Sequence, residues 1–115
     1  MKQEHIELFL LHANFCKTMG NAKRLMILSV LAEGEASVGE IAEKIGAPMT
    51  NVSQHLNILK SSSIVRSRKD GQLAIYSLTD PRITDACDLV RSVLLSFMKE
   101  RGTMAKEMDM ENLTR

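Results

Sequence analysis

The stretch of residues 37–60 constrains this chain most, because its pattern indicates two short helices separated by a tight turn. Ser37 and Glu40 have the spacing of a capping box, in which each side chain accepts a hydrogen bond from a free backbone N–H of the other residue. Apolar residues recur at helical spacing up to Gly46, a residue that commonly ends helices. Pro48 fits the first turn of a second helix but not its interior. The sequence therefore predicts a helix-turn-helix unit.

The second of these helices, residues 49–60, has an apolar stripe and an unusual polar face. The stripe consists of Met49, Val52, Leu56 and Leu59. The opposite face carries short hydrogen-bonding side chains and almost no charge, whereas a merely solvated face is normally rich in Glu and Lys. Alone, this segment would pass for an ordinary helical hairpin with a polar side. Because such side chains suit base edges and phosphate oxygens, the candidate DNA contacts are Thr50, Asn51, Ser53, Gln54 and His55.

After residue 63 the hydrophobic period changes to that of strands. Asp70-Gly71 between β-prone runs is a strong hairpin signal, since glycine readily takes the positive φ of the turn. The pattern predicts a two-stranded hairpin over residues 64–69 and 72–78. A cationic hairpin tip beside a polar-faced helix is suited to gripping the phosphate backbone. The candidate phosphate contacts on this predicted wing are Arg66, Arg68 and Lys69.

Helices are also predicted on both sides of this region. Residues 3–19 form the first, and its expected buried residues are Ile6, Phe9, Leu10, Ala13 and Met19. A second helix has Asn21 as its cap and continues towards Gly34; it is apolar nearly all round, as expected of the central helix of a core. The last helix begins near Pro81, with Thr79 or Asp80 as its cap.

The apolar stripe of the last helix is wide for a domain that already has a core. Its members are Ile83, Ala86, Cys87, Val90, Val93, Leu94, Phe97 and Met98. We expect the first and last helices to form a dimer interface, and the alternative is that they dock on the domain's own core.

Length and composition bound the remaining possibilities. The 115 residues predict one domain over residues 1–102 and a flexible tail over 103–115. The sequence has no long apolar run and no signal peptide, so the predicted location is the cytoplasm, without a membrane partner. The net charge of +1 disfavours broad non-specific binding to nucleic acid but allows a local basic patch.

The order of these elements resembles that of the ArsR/SmtB family of winged-helix transcriptional repressors, over roughly residues 15–97. The segments that carry the resemblance are residues 19–28, 52–59, 68–71 and 76–78. One departure is Pro48, which stands where the family often has a capping Ser or Thr.

The resemblance implies a mainly α fold with a small β-hairpin wing (α+β), that is, a dimeric winged helix-turn-helix. It also implies a homodimer that holds operator DNA with two recognition helices in adjacent major grooves. The polar residues of the second helix and the wing cations match the DNA-contacting positions. Such a repressor would leave its operator on binding an effector or on thiol modification.

Sequence leaves the effector open among a metal, an oxidant, a sulfur species and a small molecule, or none. The metal-binding residues usual in the family are largely missing here. His5, His12 and Cys16 nevertheless lie along one stripe of the first helix, and an imidazole and a thiolate four residues apart can share a thiophilic metal ion or metalloid if Cys87 helps. A disulfide between the two cysteines is the redox alternative. The third alternative is that both cysteines are small buried apolar residues, which is the commonest role of free cysteines.

Functions of other classes fit the sequence less well. An enzyme is not expected, because the chain has no glycine-rich phosphate loop and no nucleophile elbow. A winged helix used only for protein interaction, without sequence-specific DNA binding, is the stronger rival. Such a module would be expected to expose Leu, Phe or Tyr where this helix carries small polar residues.

Overall fold

Five helices and three strands make up residues 1–102, the part of the chain that the computed structural model describes. In chain order they are α1 (Gln3–Met19), α2 (Ala22–Ala32), β1 (Ala36–Ser37), α3 (Val38–Ile45), α4 (Met49–Ser61), β2 (Val65–Asp70), β3 (Leu73–Leu78) and α5 (Arg82–Glu100). One compact unit ends at Asp80 and a second begins at Pro81. The predicted tail, residues 103–115, lies outside the described residues. The predicted fold class, mainly α with a small β wing, is confirmed.

The helix-turn-helix forms as predicted because its boundaries are encoded locally. Ser37 Oγ accepts from the Glu40 backbone N–H (3.2 Å), and Glu40 Oε1 accepts from the Ser37 backbone N–H (3.0 Å). Gly46 ends α3 with a φ of 67°. Pro48 is the N-cap residue of α4 and not a residue of its first turn, because its ψ of 143° is extended while its carbonyl accepts from Val52 N (3.1 Å).

The core of the first unit lies between α2, α3, α4 and the sheet. The largest fully buried side chains are Ile27, Leu28, Ile41, Val52, Leu56, Leu59, Ile64 and Val65. This confirms α2 as a central helix and the apolar stripe of α4 from Val52 onward. Burial of Met49 was wrongly predicted: its side chain is 56% exposed, because it is the first helical residue, a turn before the buried stripe begins.

The sheet has three antiparallel strands in the order β1–β3–β2, one more than predicted. In β1, Ala36 and Ser37 pair with Tyr76 and Ile75 of β3. A two-residue strand has no alternating pattern, and Ser37 is also the α3 cap, so the sequence signal was that of a helix start. The hairpin loop is Gly71-Gln72, one residue later than predicted, because Asp70 still pairs with Leu73. Gly71 has a φ of +64°, which the loop requires of its first residue.

Thr79 closes the base of the hairpin and does not cap the last helix. Its hydroxyl donates to the carbonyls of Ser63 (2.8 Å) and Ile64 (3.0 Å), whereas the N-cap residue of α5 is Pro81. The prediction of Thr79 or Asp80 as cap is therefore wrong. The bonds of Thr79 hold the turn between α4 and β2, where Ser63 takes a φ of +60°.

Helix α1 has no buried residue in the single protomer, so the predicted burial of its apolar side chains is wrong for the domain's own core, while their exposure agrees with the expected dimer interface. Phe9 is 57% and Leu10 is 65% exposed; Ile6 and Ala13 are also exposed, and Met19 is half-buried. The physical reason is that the core of this unit is filled from α2 onward, so α1 contributes no side chain to it.

Helix α5, considered by itself, has one buried residue, Thr84, whose hydroxyl donates to the Pro81 carbonyl (3.0 Å). Its exposed large apolar side chains are Leu89, Val90, Val93, Leu94 and Phe97. Across residues 1–102, none of the helices is both long and apolar enough to span a membrane.

Candidate nucleic-acid interface

Three fully buried side chains fix the rotation of α4. Val52, Leu56 and Leu59 have no exposed surface, so the opposite face of the helix is turned away from the core. On that face Thr50 and Gln54 are exposed, whereas Asn51, Ser53 and His55 are half-buried. The structure therefore brings the five predicted α4 residues to one partly accessible surface. Helix α4 carries no charged side chain before Lys60.

The three predicted wing cations are all exposed, but two of them have partners within the fold. Arg68 Nη2 donates to Glu35 Oε1 at 2.5 Å, and this hydrogen bond, together with the charge of Glu35, raises the pKa of Arg68. Arg66 Nη2 donates to the Thr79 carbonyl (3.1 Å). Lys69 forms no salt bridge with any residue from 1 to 102.

Strand alternation separates these cations between the two faces of β2. Arg66 and Arg68 share one face, and Ser67 and Lys69 share the other. Lys60, near the end of α4, donates from Nζ to Ser67 Oγ (2.7 Å). The α4 side of the wing is therefore the face that carries Lys69.

Arg24 belongs to this surface and was missed by sequence reasoning. From α2 it donates through Nε to His55 Nδ1 on α4 (3.3 Å) and through Nη1 to the Thr18 carbonyl at the end of α1 (2.7 Å). The pKa of His55 is lowered, first by burial and then by the charges of Arg24 and Lys23. One sequence signal existed: two adjacent cations in the first turn of α2, where the helix dipole disfavours positive charge.

The candidate effector residues lie on the two terminal helices. His5, His12 and Cys16 are exposed on α1, and Cys87 is half-buried on α5. Burial of Cys16 within the domain's own core is wrong, because α1 has no buried residue in the single protomer. Within residues 1–102, no group of three or more His, Cys, Asp or Glu side chains is arranged to hold a metal ion.

Comparison with known proteins identifies the family. The sequence profile of the bacterial regulatory proteins of the arsR family matches residues 21–67, from the cap of α2 into β2. The chain is also 38% identical, over 85 residues, to the biofilm growth-associated repressor of Xylella fastidiosa, covering 74% of this chain and 72% of that protein.

The chain belongs to the arsR family of bacterial regulatory proteins.

Two further matches describe the range of this arsR-family protein's relatives. It is 34% identical over 74 residues to the transcriptional activator HlyU of Vibrio cholerae, covering 64% of this chain and 68% of the activator. Its fold is similar to a solution structure from Mycobacterium bovis, a homodimeric winged helix-turn-helix DNA-binding domain of a possible ArsR-family regulator. That likeness has a TM-score of 0.75 at 29% identity and covers 87% of this chain and 93% of the other. The predicted identity as a winged-helix transcriptional regulator is confirmed.

Proposed function

We propose that this protein is a homodimeric repressor that binds operator DNA through α4 and the β2–β3 wing and acts in the cytoplasm without catalysis. The observation that carries the proposal is the orientation of α4, whose three buried side chains turn an uncharged polar face outward beside an exposed cationic hairpin. The Xylella relative supports repression, while the Vibrio relative is named an activator. The proposed DNA contacts are Thr50, Asn51, Ser53, Gln54, His55, Arg66, Arg68 and Lys69.

The two parts of this surface have different roles in the proposal. Amides and hydroxyls on α4 read base edges, and the exposed Gln54 has the donor and acceptor pair that matches adenine N6 and N7. The wing cations contact phosphates, which give affinity without sequence information. Arg68 must exchange Glu35 for a phosphate, so its net contribution is smaller than that of Lys69.

A second copy of the chain covers the apolar residues of α1 and α5 in this proposal. Phe9, Leu10, Leu94 and Phe97 are among the large apolar side chains that these helices expose, and a stable monomer rarely leaves so much apolar surface in water. The winged domain, residues 1–102, then forms a two-fold dimer. Its two recognition helices require a pseudo-palindromic operator whose half-sites lie about one helical turn, ~34–36 Å, apart.

The test begins with selection of a tight duplex from a random-sequence pool by the full-length protein. Fluorescence anisotropy then compares the selected duplex with a scrambled one. Gln54→Ala should weaken binding to the selected duplex by ~1–3 kcal/mol and affect the scrambled one less, because it removes a base contact. Lys69→Ala should weaken both equally and reduce the salt slope by about one unit.

The control variant is Lys2→Ala, which removes an equal charge at the exposed N-terminus. It should change neither the affinity for either duplex nor the salt slope. Equal, sequence-blind losses from Gln54→Ala and Lys69→Ala would refute this division of roles. If selection with the wild-type protein enriches no duplex, DNA recognition fails and the protein-interaction alternative takes its place.

Release from DNA is proposed to involve the cysteines and histidines of the terminal helices. Cys16 is exposed in the single protomer and lies on α1, the helix proposed to meet the partner subunit, so an oxidant or a thiophilic metal ion or metalloid at this thiol would act on the dimer. His5 and His12 on the same helix and Cys87 on α5 are the candidate additional ligands. The double variant Cys16→Ser, Cys87→Ser tests it: unchanged DNA binding together with unchanged release by mild oxidant and by metal ions would refute any role for the thiols.

A further inference from the structure

The Arg24 side chain links three elements of the first unit. It starts in the first turn of α2, where its own backbone N–H donates to the Asn21 cap (3.2 Å). Its guanidinium donates to the Thr18 carbonyl at the end of α1 (2.7 Å) and to the ring of His55 on α4 (3.3 Å). Because a guanidinium is planar and rigid, these two bonds together define the orientation of the imidazole relative to α2.

The direction of the hydrogen bond from Arg24 Nε to His55 Nδ1 determines the protonation state of His55. Arginine N–H groups only donate, so Nδ1 of His55 must supply a lone pair. The imidazole is then neutral, its one proton lies on Nε2, and Nε2–H is a donor. Burial and the charges of Arg24 and Lys23, the cations that face His55 from α2, keep its pKa low and stabilise this neutral form. On α4 itself no charged group precedes Lys60.

The surroundings of Arg24 indicate what this donor is for. Lys17, Lys23 and Arg24 form no salt bridge to any carboxylate among residues 1–102. Lys17 and Arg24 also line an open cavity of about 490 Å³ where α1 meets α2. Arg24 and Lys23 lie near His55 of α4 and have no acidic partners among residues 1–102, which favours an anionic partner at this surface.

We propose that Arg24 is a positioning residue for DNA recognition, which holds His55 as a neutral Nε2–H donor to an acceptor atom of the DNA. The inference rests on the proposed DNA-binding function and adds a residue outside the helix-turn-helix and the wing. The acceptor is either a base-edge atom in the major groove or a phosphate oxygen, since both accept from N–H.

The first test examines the full-length protein without DNA. Nitrogen-15 NMR of the histidine rings near pH 7.5 should show the Nε2–H tautomer for His55 in the wild type. Arg24→Met removes the donor and should give a mixture of tautomers. Lys23→Met, the matched control, removes a nearby cation but not the bond, and should leave the tautomer unchanged. A wild-type His55 with its proton on Nδ1, or an unchanged tautomer in Arg24→Met, would overturn the proposal.

The second test is a double-mutant cycle on the selected duplex. His55→Ala and Arg24→Met should each weaken binding about three- to tenfold, the range that one hydrogen bond gives. In the His55→Ala background, Arg24→Met should cost much less, because its role is to position a ring that is no longer present. Fully additive losses would overturn the positioning role while leaving the DNA-binding function in place. Absence of any wild-type binding would overturn both.

Two further comparisons make the result specific. A loss of affinity in His55→Ala that is confined to the selected duplex identifies a base-edge acceptor, and an equal loss on the scrambled duplex identifies a phosphate.

If Arg24→Met fails to fold by circular dichroism, Arg24→Lys replaces it, because lysine keeps the charge but lacks the fork that reaches Thr18 and His55 together. Wild-type affinity and tautomer in Arg24→Lys would show that charge alone suffices and would refute the proposal.

Discussion

Ser37 gives the sharpest stability prediction, since it serves two elements at once. It pairs with Ile75 as the last residue of β1, and its hydroxyl caps α3. Ser37→Ala deletes the acceptor of the Glu40 N–H; this hydrogen bond is part-buried, so water replaces the acceptor only incompletely. Loss of a serine N-cap typically costs ~0.5–2 kcal/mol. Because the Glu40 N–H would keep only part of its hydrogen bonding, we expect ~1–2 kcal/mol.

Urea denaturation at a fixed protomer concentration measures this difference, because the stability of a dimer depends on concentration. The melting temperature should fall by roughly 4–8 °C per kcal/mol, as for small domains. Ser37→Thr keeps the hydroxyl acceptor and should stay within a few tenths of a kcal/mol of wild type. A Ser37→Ala protein as stable as wild type, or a Ser37→Thr protein as unstable as Ser37→Ala, would contradict the capping-box reasoning.

The capping box also predicts an acid dependence. The pKa of Glu40 is lowered from about 4.5, chiefly because its carboxylate accepts the Ser37 backbone N–H, and second because of the Ser37 side chain. A carboxylate with a lowered folded-state pKa stabilises the fold above its unfolded-state value, and this contribution is lost as the pH falls through the folded-state pKa. Glu40→Gln should therefore flatten the loss of stability below about pH 4.5, which urea titrations over that range would detect.

Two further predictions concern the turn after α4 and the subunit interface. Ser63 has a φ of +60°, so Ser63→Gly should stabilise the protein by up to ~1 kcal/mol. This value is the difference between the energy penalty of a left-handed serine backbone and the entropy cost of glycine. If urea denaturation shows a destabilised variant, the serine side chain matters more than its backbone conformation. Phe9→Glu on α1 and Leu94→Glu on α5 should each shift the protein towards monomer in sedimentation velocity, whereas Leu73→Glu, at an equally exposed apolar position of the wing, should not. Intact dimers in both helix variants would refute the proposed interface.

Local signals explain why the helix-turn-helix and the wing were predictable. The spacing of Ser37 and Glu40, the glycine at 46 and the period of the α4 stripe involve residues within a turn or two of each other. The physical forces behind them, hydrogen bonding at helix ends and the positive φ of glycine, act over the same short distances. The errors in these elements are correspondingly small: Pro48 as the N-cap residue of α4 and not in its first turn, Met49 exposed at the helix start, and a hairpin loop displaced by one residue.

Contacts between distant parts of the chain decided the rest. The two-residue strand β1 exists because β3 provides its partner, and Thr79 closes the hairpin because the fold brings it to Ser63 and Ile64. The exposure of the apolar residues of α1 follows from a core already filled by later elements. Neither β1 nor the bonds of Thr79 have a periodic or compositional signal at their own positions.

The partners of the arginines show the same limit at the candidate site. Arg24 meets His55 31 residues later, and Arg68 meets Glu35 33 residues earlier. The sequence by itself determined the family's architecture, the polar face of α4 and the presence of cations on the wing. Only the tertiary structure decided which cations are hydrogen-bonded within the fold, because a long charged side chain bonds to whichever acceptor the packed elements bring within reach.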